Sequence, residues 1–68
     1  MELDPTVIPI GAEIRSRDGS LIGRASEVHN LYLVIRDSDG AESELPVDAI
    51  QSIEGKRVTV DESRIESN

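Results

Sequence analysis

His29 is the one side chain of this 68-residue sequence whose ordinary pKa lies near neutrality, which makes it the first candidate for acid–base or metal-ligand chemistry. One imidazole, with no second histidine and no cysteine, cannot build a His-rich metal site. His29-Asn30 also falls where a tight turn is expected, so it reads as a solvent-exposed turn histidine. Asp37, Asp39 and Glu42 place carboxylates at the short spacing of a calcium loop. An EF-hand, however, needs glycine at its sixth position and a bidentate glutamate at its twelfth, whereas here Gly40 comes fourth and Asp48 twelfth. Asp and Gly in this stretch shape a turn, and a small-ligand or divalent-metal module using the acidic loop 37–42 is kept as the alternative function. Glu42 and Glu44 could form the carboxylate pair of a glycosidase, but a solvated charged strand face explains them without a cleft. Serines are plentiful, yet no Gly-x-Ser-x-Gly elbow is present, and the glycines form neither Gly-x-Gly-x-x-Gly nor a Walker pattern. The residues assign no catalytic, cofactor-binding or metal role, and a non-enzyme is expected.

Composition narrows the classes further. A chain of this length makes one domain and buries only about 60 % of its unfolded surface. Its core must come from 19 Leu, Ile and Val residues, because Phe and Trp are missing and Tyr occurs once. That is enough for one thin core and no enclosed substrate chamber, so a partner that hides apolar surface would add stability. Without cysteine there is no disulfide framework, which suits a cytoplasmic location. No apolar run approaches the ~18–20 residues of a membrane span, and Met1-Glu2-Leu3-Asp4-Pro5 lacks the basic start of a signal peptide. The net charge of −7 repels nucleic acid on average, and no aromatic residues interleave the scattered basic ones for base stacking. Neither direct nucleic-acid binding nor membrane insertion is expected, which leaves another protein as the partner class.

The elements that position these residues are set by turn signals. Asp18-Gly19, Asp39-Gly40 and Glu54-Gly55 each interrupt a run of alternating or β-branched residues, with His29-Asn30 as a fourth turn. Strands are expected over 12–16, 21–28, 31–36, 41–45, 51–53 and 57–60, with Gly23 a natural place for a bulge or sharp coil in the long second one. Residues 46–50 read as one helical turn begun by Pro46. The similarity of Ile14-Arg15-Ser16-Arg17-Asp18-Gly19 to Ile35-Arg36-Asp37-Ser38-Asp39-Gly40 reflects shared turn chemistry rather than a repeat. The organisation is thus an apolar N-terminal arm over 1–11, in which Pro9 restricts Val7, Ile8 and Ile10 to an edge strand or strap, a β domain over 12–60, and a polar tail over 61–68.

Alternation assigns the faces. Leu31, Leu33 and Ile35 point one way and Tyr32 and Val34 the other, so both faces of this strand are apolar. A strand wet on one side alternates with polar residues, so this one is expected to be covered twice, by the core and by the N-terminal arm or a second subunit. The expected protein interface, in a homodimer, is Val7, Ile8, Ile10, Tyr32 and Val34.

Residues about 10 to 60 resemble the PRC-barrel domain, and within it the short stand-alone bacterial members of unknown function. Ile10-Gly11 leads into Ile14. The stretch Arg17-Asp18-Gly19-Ser20-Leu21-Ile22-Gly23-Arg24-Ala25 is similar to the family's DG-x-x-IG-x-V hairpin. Glu27-Val28, the strand Leu31 to Ile35, the segment Leu45-Pro46-Val47-Asp48-Ala49-Ile50 and the closing Ile53 to Val60 follow in order. The resemblance implies an all-β fold: a small six-stranded PRC-type β-barrel with one short helical turn near 46–50. It also implies a protein-docking role, as in the related domains of the photosynthetic reaction-centre H subunit and of a ribosome maturation factor, with no catalytic residues to carry over. An accessory role in RNA processing through a protein contact is a further expectation from the second of these.

Overall fold

Six short strands follow from the turn signals, and a two-residue seventh lies in the segment expected as a polar tail. The structure, a computed structural model, describes residues 7–67, so residues 1–6 of the expected arm and Asn68 of the expected tail lie outside it. The strands are β1 (Glu13–Arg15), β2 (Leu21–Val28), β3 (Tyr32–Arg36), β4 (Glu42–Pro46), β5 (Ile50–Glu54), β6 (Arg57–Val60) and β7 (Glu66–Ser67). They form one sheet in the order β5-β6-β1-β2-β3-β4-β7. Every neighbouring pair is antiparallel except β1 and β6, which run parallel with Glu13 opposite Arg57 and Arg15 opposite Thr59. No helix among the described residues is long and apolar enough to cross a membrane.

The first two Asp-Gly turns are built alike. Ser16 N–H donates to Ser20 O and Gly19 N–H to Ser16 O; Asp37 N–H donates to Ala41 O and Gly40 N–H to Asp37 O. In both, the glycine takes a φ near +90°, which a side chain would strain. The third turn differs in length, placing Gly55 and Lys56 between the paired residues Glu54 and Arg57. The fourth is a four-residue turn closed by His29 N–H donating to Tyr32 O, and Asn30 takes no left-handed conformation in it.

Leu33 and Ile35 enter the core as alternation requires, and Val34 faces the other way. Leu31 departs from the expectation that it would share their face. The turn consumes it before β3 begins, and it stands 77 % exposed. Ile14, Ala25, Leu33, Ile35, Leu45, Ile50, Val58 and Val60 come from six strands yet form one buried cluster with Ile8, Ala12 and Ala49. A flat sheet of six strands about 4.8 Å apart could not bring its two ends to a common core, so the sheet is curled.

The ladder does not close: β5 and β7 lie at opposite ends of the order and do not pair with each other. The shared architecture is therefore all-β and sheet-based, with a curled open sheet where a closed barrel was expected. The physical reason lies in the register. The last segment of chain pairs with β4 rather than with β5, so each terminal strand keeps one unpaired edge.

Curling needs local irregularity, and β2 supplies it. Ile14 opposes Gly23 but Arg15 opposes Leu21, leaving Ile22 as an extra residue; Ala25 opposes Ile35 but Glu27 opposes Val34, leaving Ser26 as another. The bulges thus flank Gly23 rather than fall on it. Gly23 itself permits a close approach: a Cβ there would lie 2.6 Å from the Arg36 carbonyl oxygen and 2.8 Å from the Ile35 side chain.

Pro46 ends β4 and precedes a single 3-10 turn, Val47–Ala49, in place of the first-turn position expected for it. The segment expected as a polar tail carries a second 3-10 turn, Glu62–Arg64, capped by the Asp61 carboxylate, which accepts from Ser63 N–H. It ends in β7, and Ile65 packs against the core.

Candidate functional site

Of the five residues expected at an interface, the structure exposes three and buries two. Val7 and Ile10 are 60 % and 66 % exposed, whereas Ile8 between them is 4 % exposed and belongs to the core cluster. The arm is held along β2 on its β1 side: Gly11 N–H donates to Ala25 O at 2.7 Å, and the Arg24 guanidinium donates to Gly11 O. Tyr32 and Val34 stand on β3, on the other side of β2 in the ladder. Val34 is only 9 % exposed in the single chain, flanked by Glu27 on β2 and Glu44 on β4. Its cover comes from its own chain, so it offers little free apolar area to a partner.

The apolar surface sequence reasoning missed is Leu31. It lies beside Tyr32 in the turn between β2 and β3, and its signal was the turn residue pair before it, which shortens the strand by one. This turn is firmly held. The Leu31 carbonyl accepts from Val47 N–H at 2.9 Å, tying the turn to the 3-10 segment. The His29 ring stacks on Tyr32 with centroids 4.5 Å apart and planes 23° from parallel. Nε2 of His29, at the ring edge, lies 2.9 Å from the Glu27 carboxylate. The stacked Tyr32 ring loses little conformational freedom on binding, the property of an interface anchor, and Leu31 adds exposed apolar area beside it.

The acidic loop is occupied by its own turn. The Asp37 carboxylate accepts from the backbone N–H of Asp39 and Ala41, at 2.9 and 3.0 Å. Glu42 binds the Arg36 guanidinium at 2.7 Å. No group of three or more His, Cys, Asp or Glu side chains among the described residues is arranged to hold a metal ion.

The outward residues of successive strands form a charged row across the sheet: Glu54, Arg57, Glu13, Arg24, Arg36 and Glu42, each opposite the next. Within it Glu13 accepts from Arg15 Nε and Nη2, and this bonding together with the guanidinium charge holds the Glu13 carboxyl below the usual carboxylate range. Two open hollows lie beside this row. One, of about 360 Å³, is lined by Glu13, Glu54, Lys56 and Arg57. The other, of about 330 Å³, is lined by Arg15, Ser16, Arg17, Gly19, Glu54, Arg57 and Thr59. Both have charged walls and face solvent, unlike the mostly apolar enclosure of a small-molecule site. Set against known proteins, the chain matches no family model, no curated protein and no solved structure.

Proposed function

We propose that this chain is a non-enzymatic protein-docking module of PRC-barrel type that also associates with itself, acting in the cytoplasm. The observation that carries the reading is the exposed Leu31-Tyr32 pair, with Tyr32 stacked on His29, on a domain whose hollows are open and charged. What supports the barrel type is the order of its turns and strands, together with a single core shared by six strands; an open ladder with unpaired β5 and β7 edges is a shallower version of the same curl. What supports docking is that binding needs only a few well-held anchors, which a thin core can present, whereas catalysis needs an enclosed site. The partner-facing surface is the turn between β2 and β3 with Tyr32 at its centre. Val7 and Ile10 are a second exposed apolar pair on the arm.

Sedimentation of the wild-type chain and of a Leu31→Ser/Tyr32→Ser variant at micromolar concentration tests this. The wild type should run above monomer mass, and the variant should shift toward monomer while keeping the wild-type β circular-dichroism signal. A wild type that stays monomeric removes the self-association. A variant that associates as strongly as wild type removes Leu31 and Tyr32 from the contact.

A further inference from the structure

On β2 the outward-facing residues Leu21, Arg24 and Glu27 belong to three different rows of the sheet, and those rows differ in charge. The row at Leu21 runs Ser52, Thr59, Arg15, Leu21 and borders the hollow that Arg15, Arg17 and Arg57 line. The row at Glu27 runs Glu27, Val34, Glu44. Between them lies the mixed row through Arg24. Successive rows are two residues apart on the unbulged neighbours β1 and β3, so the rows of Leu21 and Glu27 lie about 14 Å apart. Arg15 and the turn residue Arg17 thus stand at one end of the sheet surface, with Arg57 and Glu54 of the mixed row beside them on the same hollow, and an acidic row marks the other end.

The ion pairs among the described residues are Arg15–Glu13, His29–Glu27, Arg36–Glu42 and Arg64–Asp48. Arg17, Arg57 and Glu44 stand outside them. The basic end is also prearranged: Arg15 is clamped between Glu13 and the Gly19 carbonyl, which its Nη1 reaches at 2.7 Å. Each end carries exposed apolar side chains beside its charges, Leu21 at the basic end and Leu31 with Tyr32 near the acidic row. The two ends lie too far apart to neutralise each other within one chain.

We propose that the basic end of one copy, Arg15, Arg17 and Arg57 with Leu21, seats on the acidic row of a second copy, Glu27 and Glu44 beside Tyr32. The inference rests on the self-association reading and gives that contact its second half and its register. Guanidinium groups suit it because they bind carboxylates in a fixed fork while losing little freedom. Complementary patches of this kind steer encounter and depend on ionic strength.

The test compares sedimentation of the wild type with two variants, Arg17→Glu/Arg57→Gln and Glu27→Lys/Glu44→Lys, each checked for wild-type circular dichroism. Arg57 is neutralised rather than reversed because it already opposes Glu13 and Glu54; Arg17→Glu alone, in an exposed turn, serves if the double variant unfolds. In about 0.1 M salt the wild type should associate, and in about 1 M salt, where the screening length falls to ~3 Å, its association should weaken at least tenfold. Each variant alone should be monomeric, and their equimolar mixture should recover a one-to-one complex. Salt-independent association that survives in both variants overturns this contact and leaves self-association through apolar surface standing. A wild type monomeric in low salt overturns the self-association reading along with it.

Discussion

Asp18 shows how one carboxylate can organise a hairpin. It accepts from the buried Ser16 hydroxyl and from Ser20 N–H at 3.0 Å, and those hydrogen bonds, the Ser16 one foremost, lower its pKa from 3.8 to about 2. A carboxylate held below its unfolded value favours the folded chain at pH above about 4, and that contribution is lost as pH falls toward 2. Asp18→Asn should therefore lower the melting temperature at pH 6. The gap from wild type should narrow between pH 4 and pH 2, as followed by circular dichroism. Equal gaps at both ends of that range would remove Asp18 from the acid response. The carboxyls of Glu13 and Asp61, lowered chiefly by Arg15 and Ser63 respectively, add to the same acid lability in the wild type. Gly23 acts through space rather than charge. A methyl group there meets the backbone of β3, which cannot rotate aside as a side-chain tip can, so Gly23→Ala should cost about 1–3 kcal/mol in urea unfolding.

At the scale of elements, the strands were readable because each Asp-Gly or Glu-Gly pair carries its own turn chemistry, and β2 and β6 fall on the expected residues. Pairing between distant strands was not readable. Nothing local in Glu13-Ile14-Arg15 marks β6 as its parallel neighbour, and nothing in Glu66-Ser67 marks β4. Burial divides the residues expected at an interface for a related reason. Val7-Ile8-Pro9-Ile10 reads as one apolar arm, but burial separates Ile8 from its neighbours, and only the packed core decides which residue goes in. Leu31 was assigned to the inner face because alternation counts from the wrong residue once a turn takes the first one. The arm yields a direct prediction. Ile8→Ala should destabilise the fold by about 2–5 kcal/mol, as buried large-to-small changes do, while Val7→Ser and Ile10→Ser should stay within about 0.5 kcal/mol. Thermal and urea melts of the three variants check it.

For the molecule as a whole, the reserve of stability is small, on the order of 5 kcal/mol for a domain this short. Leu33 is fully buried near the centre of the single cluster, so Leu33→Ala should leave the chain largely unfolded at 37 °C, seen as loss of the β circular-dichroism signal. The parallel ladder of β1 with β6 sets how this reserve is assembled. The hairpins close loops of a few residues, whereas β1 must find a partner about 40 residues further along, an entropy difference of about 2 kcal/mol. A nascent polypeptide halted between residues 46 and 57 can form the β2, β3 and β4 meander, but Ile14 then meets water on the flank where Val58 belongs. Synthesis must therefore run almost to the last strand before the core can seal, and until then the chain presents the ribosome's surroundings with a sticky half-sheet.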